Sequence, residues 1–92
     1  MRESEVERHL QRCVEQAGGL CWKFNSQSLA GVPDRMVILN RHVVFVELKA
    51  PGEQPRRLQK YRMRQLKQQG MEVIVVDSKE IAELVVHLLT RC

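Results

Sequence analysis

Val43-Val44-Phe45-Val46-Glu47-Leu48-Lys49 is the stretch on which the fold turns. Side chains alternate along a strand, so Val43, Phe45, Glu47 and Lys49 share one face and Val44, Val46 and Leu48 the other. Both faces are mostly apolar, which predicts a central strand. Glu47 and Lys49 continue a buried row at its C-terminal end, where a charge costs desolvation unless a cation or a partner offsets it. The plainer alternative is that both lie where the strand leaves the core and their heads reach water.

Outward from this strand the elements read in order. Upstream, Met36-Val37-Ile38-Leu39 is a strand, joined to it by a short turn at Asn40-Arg41-His42. Before that, Leu20 to Phe24 alternates as a strand, and a polar loop from Asn25 closes at Gly31-Val32-Pro33. The first element is a helix from about Glu3 to Gln16, with Val6, Leu10, Cys13 and Val14 at helical spacing and Gly18-Gly19 as its stop. Downstream, Pro51-Gly52-Glu53-Gln54-Pro55 breaks the chain, and Arg56 to Gln69 is rich in helix formers. Val73 to Val76 is a short β-branched strand, and Asp77-Ser78-Lys79-Glu80 opens a last helix through Leu89. The order αβββαβα, with a helical crossover between the last two strands, predicts an α/β fold with a four-stranded mixed sheet flanked by helices.

Composition bounds the function. Ninety-two residues, 43% hydrophobic and 28% charged, suit one globular domain and exclude a disordered tail or a multi-domain machine. A net charge of +4 leans toward polyanions. No apolar run is long enough for a membrane span, and the opening MRESEVERHL has no signal-peptide pattern. Cys13, Cys21 and Cys92 are irregularly spaced and odd in number, a poor disulfide framework that suits a reducing cytoplasm. His9 and Cys13 stand four apart on the first helix, but no second pair completes a zinc site.

Asp34 sharpens the chemistry. It follows a Gly-Val-Pro turn at the start of the second strand. If strands two and three are antiparallel neighbours, that start lies beside the end of strand three, and Asp34 and Glu47 meet. Two carboxylates at one sheet end, completed by a backbone carbonyl such as that of Leu48, by water and by substrate phosphate, suit Mg²⁺ or Mn²⁺ over zinc. Lys49 could then orient or deprotonate the attacking water and balance charge in a phosphoryl transition state. Gln59 heads the helix-two stripe with Met63 and Leu66. Its amide either caps local backbone or reaches the substrate phosphate or a water on the metal. From Arg56 to Lys67 there are six basic residues and no acid. Beside such a site, Arg56, Arg57 and Lys60 favour phosphate contact over a merely solvated face. With only four aromatic residues in no repeated pattern, recognition by base stacking is disfavoured.

Pro33-Asp34, a gap, and Glu47-Leu48-Lys49, on this order of elements, resemble the PD-(D/E)XK nuclease signature. More narrowly, Gly31-Val32-Pro33-Asp34, Phe45 to Gly52 and Gln59-Lys60 resemble the VRR-NUC family, the virus-type replication-repair nucleases, over nearly the whole chain. The resemblance implies a restriction-endonuclease-like core, a single nuclease domain over 1–92, and Asp34 and Glu47 as metal-binding acids. It implies Lys49 as the catalytic lysine and Gln59 as the family's glutamine. An acid on the first helix also belongs to the pattern, for which Glu3, Glu5 and Glu7 compete. Glu7 borders the buried stripe with Leu10 and Val14 and is favoured, with Glu3 on the same border one turn earlier. Arg35 and Ser26 join Arg56, Arg57 and Lys60 as expected DNA contacts.

The expectation is a Mg²⁺- or Mn²⁺-dependent endonuclease making 5′-phosphate and 3′-hydroxyl ends on branched or duplex DNA, encoded by a phage or a bacterium. Small stand-alone members resemble homodimeric Holliday-junction resolvases, and the last helix has apolar residues to spare for a dimer. The alternatives are a flap-specific or nonspecific DNA nuclease, and a DNA-structure-binding module without catalysis.

Overall fold

The computed structural model describes residues 1–91; Cys92, the third cysteine of the sequence reading, lies outside them. Helix α1 (Glu3–Gln16) places Val6, Leu10 and Val14 one turn apart, and all three are fully buried. Strands β1 (Leu20–Lys23), β2 (Arg35–Leu39) and β3 (His42–Leu48) form an antiparallel meander, and β4 (Glu72–Val76) joins β3 in parallel. Between β3 and β4 runs α2 (Arg57–Gln68), and α3 (Lys79–Thr90) ends the fold. The expected α/β architecture with a mixed four-stranded sheet is the one observed. Element ends differ from the sequence reading by one residue, as at β2, which takes in Arg35, and β3, which takes in His42.

Each junction has a local cause. Asn40 and Arg41 both have positive φ, 52° and 67°, the requirement of a two-residue hairpin whose twist matches its strands. Gly19 lies where a Cβ would come within 2.8 Å of the Ile38 carbonyl and 2.9 Å of Val14, so only glycine lets α1 turn onto the sheet edge. Ser78 caps α3 by accepting the Ile81 N–H at 3.1 Å. The acid of the expected capping box, Glu80, lies one position before the residue that Ser78 holds.

Two layers cover the sheet. On one face α1 and α3 bury Val37, Leu39, Val44, Val46, Leu48 and Val76. On the other α2 lays Met63 over Phe45 and Val73, with Phe24 against Phe45 at 5.1 Å between ring centres. Alternation along β3 therefore divides the two cores, as the sequence reading expected of a central strand. Among the described residues no helix is long and apolar enough to cross a membrane.

Candidate active site

The β2–β3 pairing determines what meets at the sheet end. Arg35 stands opposite Val46, so Asp34 and Glu47 come together at the open end of the ladder. The ladder continues through Asp34 itself: its N–H donates to the Val46 carbonyl at 3.0 Å, and its carbonyl accepts the Phe24 N–H at 2.8 Å. Its carboxylate Oδ2 accepts the Leu48 N–H at 2.8 Å. That bond fixes the side chain toward the end of β3, while the Lys49 N–H is held by the Val76 carbonyl of β4.

Glu47 is 1% exposed, one of the largest fully buried side chains of the protein. Its Oε2 lies 3.5 Å from the Lys49 ammonium, whose side chain is 12% exposed. Its Oε1 is buried without a hydrogen-bond partner among the described residues. Buried polar atoms are almost always satisfied, so an orphaned carboxylate oxygen points to a group that arrives from outside the chain. Burial first, and then the Asp34 charge, push the Glu47 carboxyl up from its ordinary value of 4.5 to about 7, against the opposing pull of Lys49. A carboxyl in that state is ready to be recharged by a cation.

These groups open into one concavity, which Glu3, Glu53, Gln54, Arg56 and Gln59 complete. Gln59 is buried, and its Oε1 accepts the Arg56 N–H at 2.7 Å, capping the start of α2. The local cap is the contact observed for this amide, and the same residue lines the concavity. Glu3, on the first turn of α1, has its carboxyl raised by partial burial and then by the charge of Asp34, with Lys49 opposing. The residues that line it fit a hard divalent cation, for they bring the carboxylates of Glu3, Asp34, Glu47 and Glu53 and no thiol or imidazole. Among the described residues no three His, Cys, Asp or Glu side chains form a ready-made cage.

No family model matches the chain. It is 42% identical over 85 residues to "Putative nuclease p44" of Acyrthosiphon pisum secondary endosymbiont phage 1, with 91% of each sequence covered. Its structure matches a solved VRR_NUC domain with a TM-score of 0.85 at 29% identity, over 92% of this chain and 94% of that one. The chain belongs to the VRR-NUC family.

Against this VRR-NUC fold, two expected site residues lie elsewhere. Glu7 does not line the concavity. Its Oε2 accepts a hydrogen bond from the Arg35 Nε at 2.8 Å, and the acid of α1 that reaches the site is Glu3. Arg35, expected to touch DNA, is 7% exposed and donates also to the Cys21 carbonyl at 3.0 Å. It is a buried strut between α1, β1 and β2, with no free face for a phosphate. The signal was in β2: alternation places Arg35 with Val37 and Leu39, all buried, on the side that α1 covers. Of the remaining basic candidates, Arg56 lines the concavity, and Arg57 and Lys60 are exposed on the first turn of α2. Ser26 is half-buried in the loop before Asp34, outside the concavity. Glu53 and Gln54 were not singled out from sequence, although they directly follow the Lys49-Ala50-Pro51-Gly52 turn.

Proposed function

We propose that this VRR-NUC protein is a divalent-metal-dependent DNA endonuclease that cuts branched structures as a homodimer, in the manner of a Holliday-junction resolvase. The observation that carries the reading is the buried Glu47 carboxylate with its unpartnered Oε1, set between Asp34 and Lys49. The nuclease description of the phage relative supports the reaction class.

Asp34, Glu47 and the Leu48 carbonyl would hold Mg²⁺ or Mn²⁺, with Glu3 at the rim. Such an ion supplies Lewis-acid polarisation of the phosphodiester and a more acidic water. The chain's own groups do the rest. The Leu48 N–H keeps Asp34 in one orientation, so the acid needs no reordering when substrate arrives. Lys49, tethered by β4 through its backbone, keeps a cationic donor beside Glu47 that can meet negative charge growing on the phosphoryl oxygens as the P–O3′ bond breaks. Gln59 and Arg56 line the same concavity and would offer an amide and a guanidinium to a substrate phosphate. For the dimer, Leu84 and Leu88 on α3 are 48% and 54% exposed, apolar surface that a second copy would cover.

The test is cleavage of labelled four-way junction, 5′ and 3′ flaps and plain duplex with Mg²⁺, Mn²⁺ or EDTA, alongside Glu47→Gln and Lys49→Ala. Paired nicks on the junction that need metal are expected, with Lys49→Ala slower by about 10² to 10³ and a sedimentation mass of two chains. Preference for flaps or duplex would overturn the resolvase assignment. Binding without cleavage under both metals would overturn the enzymatic one.

A further inference from the structure

A second concavity, separate from the one around Glu47, is lined by Arg2, Arg8, Arg12 and Lys79 together with Glu5 and His9. Arg8 and Arg12 stand one helical turn apart on α1, and Lys79 reaches in from the first position of α3. Four cations face one acid there. His9 is turned toward Glu83 at 2.7 Å, and none of the four cations forms an ion pair among the described residues. Four cations gathered around a single acid repel one another, and an anion with several charged oxygens removes that cost.

Its place in the fold names the anion. The hollow lies along the same helix whose first residue, Glu3, lines the active-site concavity. With a helical rise of 1.5 Å per residue, Arg8 and Arg12 follow Glu3 by about 8 and 14 Å along the axis. Because Arg8 and Arg12 also point about 140° and 180° around the axis from Glu3, the path is longer than that rise, so at 3.4 Å per nucleotide the hollow lies at least about two to four nucleotides of one strand from the site. The basic start of α2, with Arg56, Arg57 and Lys60, lies across the sheet, because α1 and α2 cover opposite faces. Cationic surfaces therefore leave the reaction site in two directions.

We infer that the Arg2, Arg8, Arg12 and Lys79 hollow binds the phosphodiester backbone of the substrate a few nucleotides from the cut, on the side of the sheet away from α2. A substrate that touches both faces straddles the sheet end. The inference rests on the nucleic-acid reading above but not on catalysis. It is tested by measuring affinity for a labelled four-way junction in EDTA between about 50 and 200 mM salt.

Each phosphate contact adds about 0.9 to the slope of log affinity against log salt on duplex DNA. The double variant Arg8→Gln, Arg12→Gln should therefore lose about 1.8 from that slope. Over a fourfold rise in salt it would lose about tenfold less affinity than the wild type. Arg2→Gln, Lys79→Gln should behave alike and guards against a folding defect in the first pair. Arg41→Gln, Arg91→Gln removes equal charge at the opposite end of the sheet and should leave the slope unchanged. A wild-type slope in both hollow variants, or an equal loss in the control pair, overturns the inference. A wild type that cuts no DNA with either metal would sink the endonuclease reading alone, since the slope comparison uses no cleavage.

Discussion

Glu47→Gln should stabilise the metal-free protein at alkaline pH while destroying its response to metal. The folded state raises the Glu47 carboxyl from 4.5 to about 7. A carboxyl raised on folding favours the folded state fully below its unfolded value, and that contribution is lost as pH climbs from about 4.5 through 7. At 1.36 kcal/mol per pH unit, 2.5 units amount to about 3 kcal/mol by pH 8. Glutamine has nearly the shape of the protonated acid and does not titrate. The two proteins should match at pH 4 in EDTA, and the variant should be more stable by about 3 kcal/mol at pH 8. Urea unfolding of both proteins at the two pH values reads this directly, and titrating groups that do not interact with Glu47 cancel in the difference. Saturating Mg²⁺ at pH 8 should then raise the stability of the wild type, which binds the ion only when folded, and leave the variant where it was. A variant no more stable than wild type at pH 8, or one that Mg²⁺ stabilises equally, would refute the picture of a buried carboxylate waiting for a cation.

Three further predictions separate structural from catalytic roles. Glu7→Ala should lower stability by about 1–3 kcal/mol in denaturant melts, because it strands the buried Arg35 guanidinium, yet leave cleavage by the folded fraction near wild type. Glu3→Gln should do the reverse, altering the metal concentration needed for half-maximal cleavage with little change in melting. Gln59→Ala should cost about 0.5–2 kcal/mol as a lost helix cap and also slow cleavage. Gln59→Glu, which keeps an acceptor for the Arg56 N–H, should restore stability more than rate.

The fold was legible because its signals are local. Two-residue alternation in Val43 to Leu48, the Asn40-Arg41 turn and the Gly18-Gly19 stop each act within a few residues. Asp34 and Glu47 could be brought together on paper because antiparallel pairing follows from so short a turn. The acid of α1 could not be settled that way. Both Glu3 and Glu7 border the buried stripe, and what separates them is the Arg35 guanidinium 28 positions away, which claims Glu7. Arg35, expected to touch DNA, sits under α1 because it alternates with Val37 and Leu39. The basic hollow was equally hidden, since it needs Lys79 of α3 beside α1, a contact between the two ends of the chain.

The Asp34 side chain closes the last rung between β2 and β3 by taking the Leu48 N–H. One carboxylate thus belongs both to the scaffold and to the chemistry, and the sheet end cannot open without dispersing the site. The Leu48 amide proton becomes a built-in spectroscopic probe. Its nitrogen and proton resonances should shift when a cation draws charge from Asp34, and its exchange with solvent should slow as the site is occupied. Occupancy could then be followed at a single backbone position, with no substrate present and no turnover required.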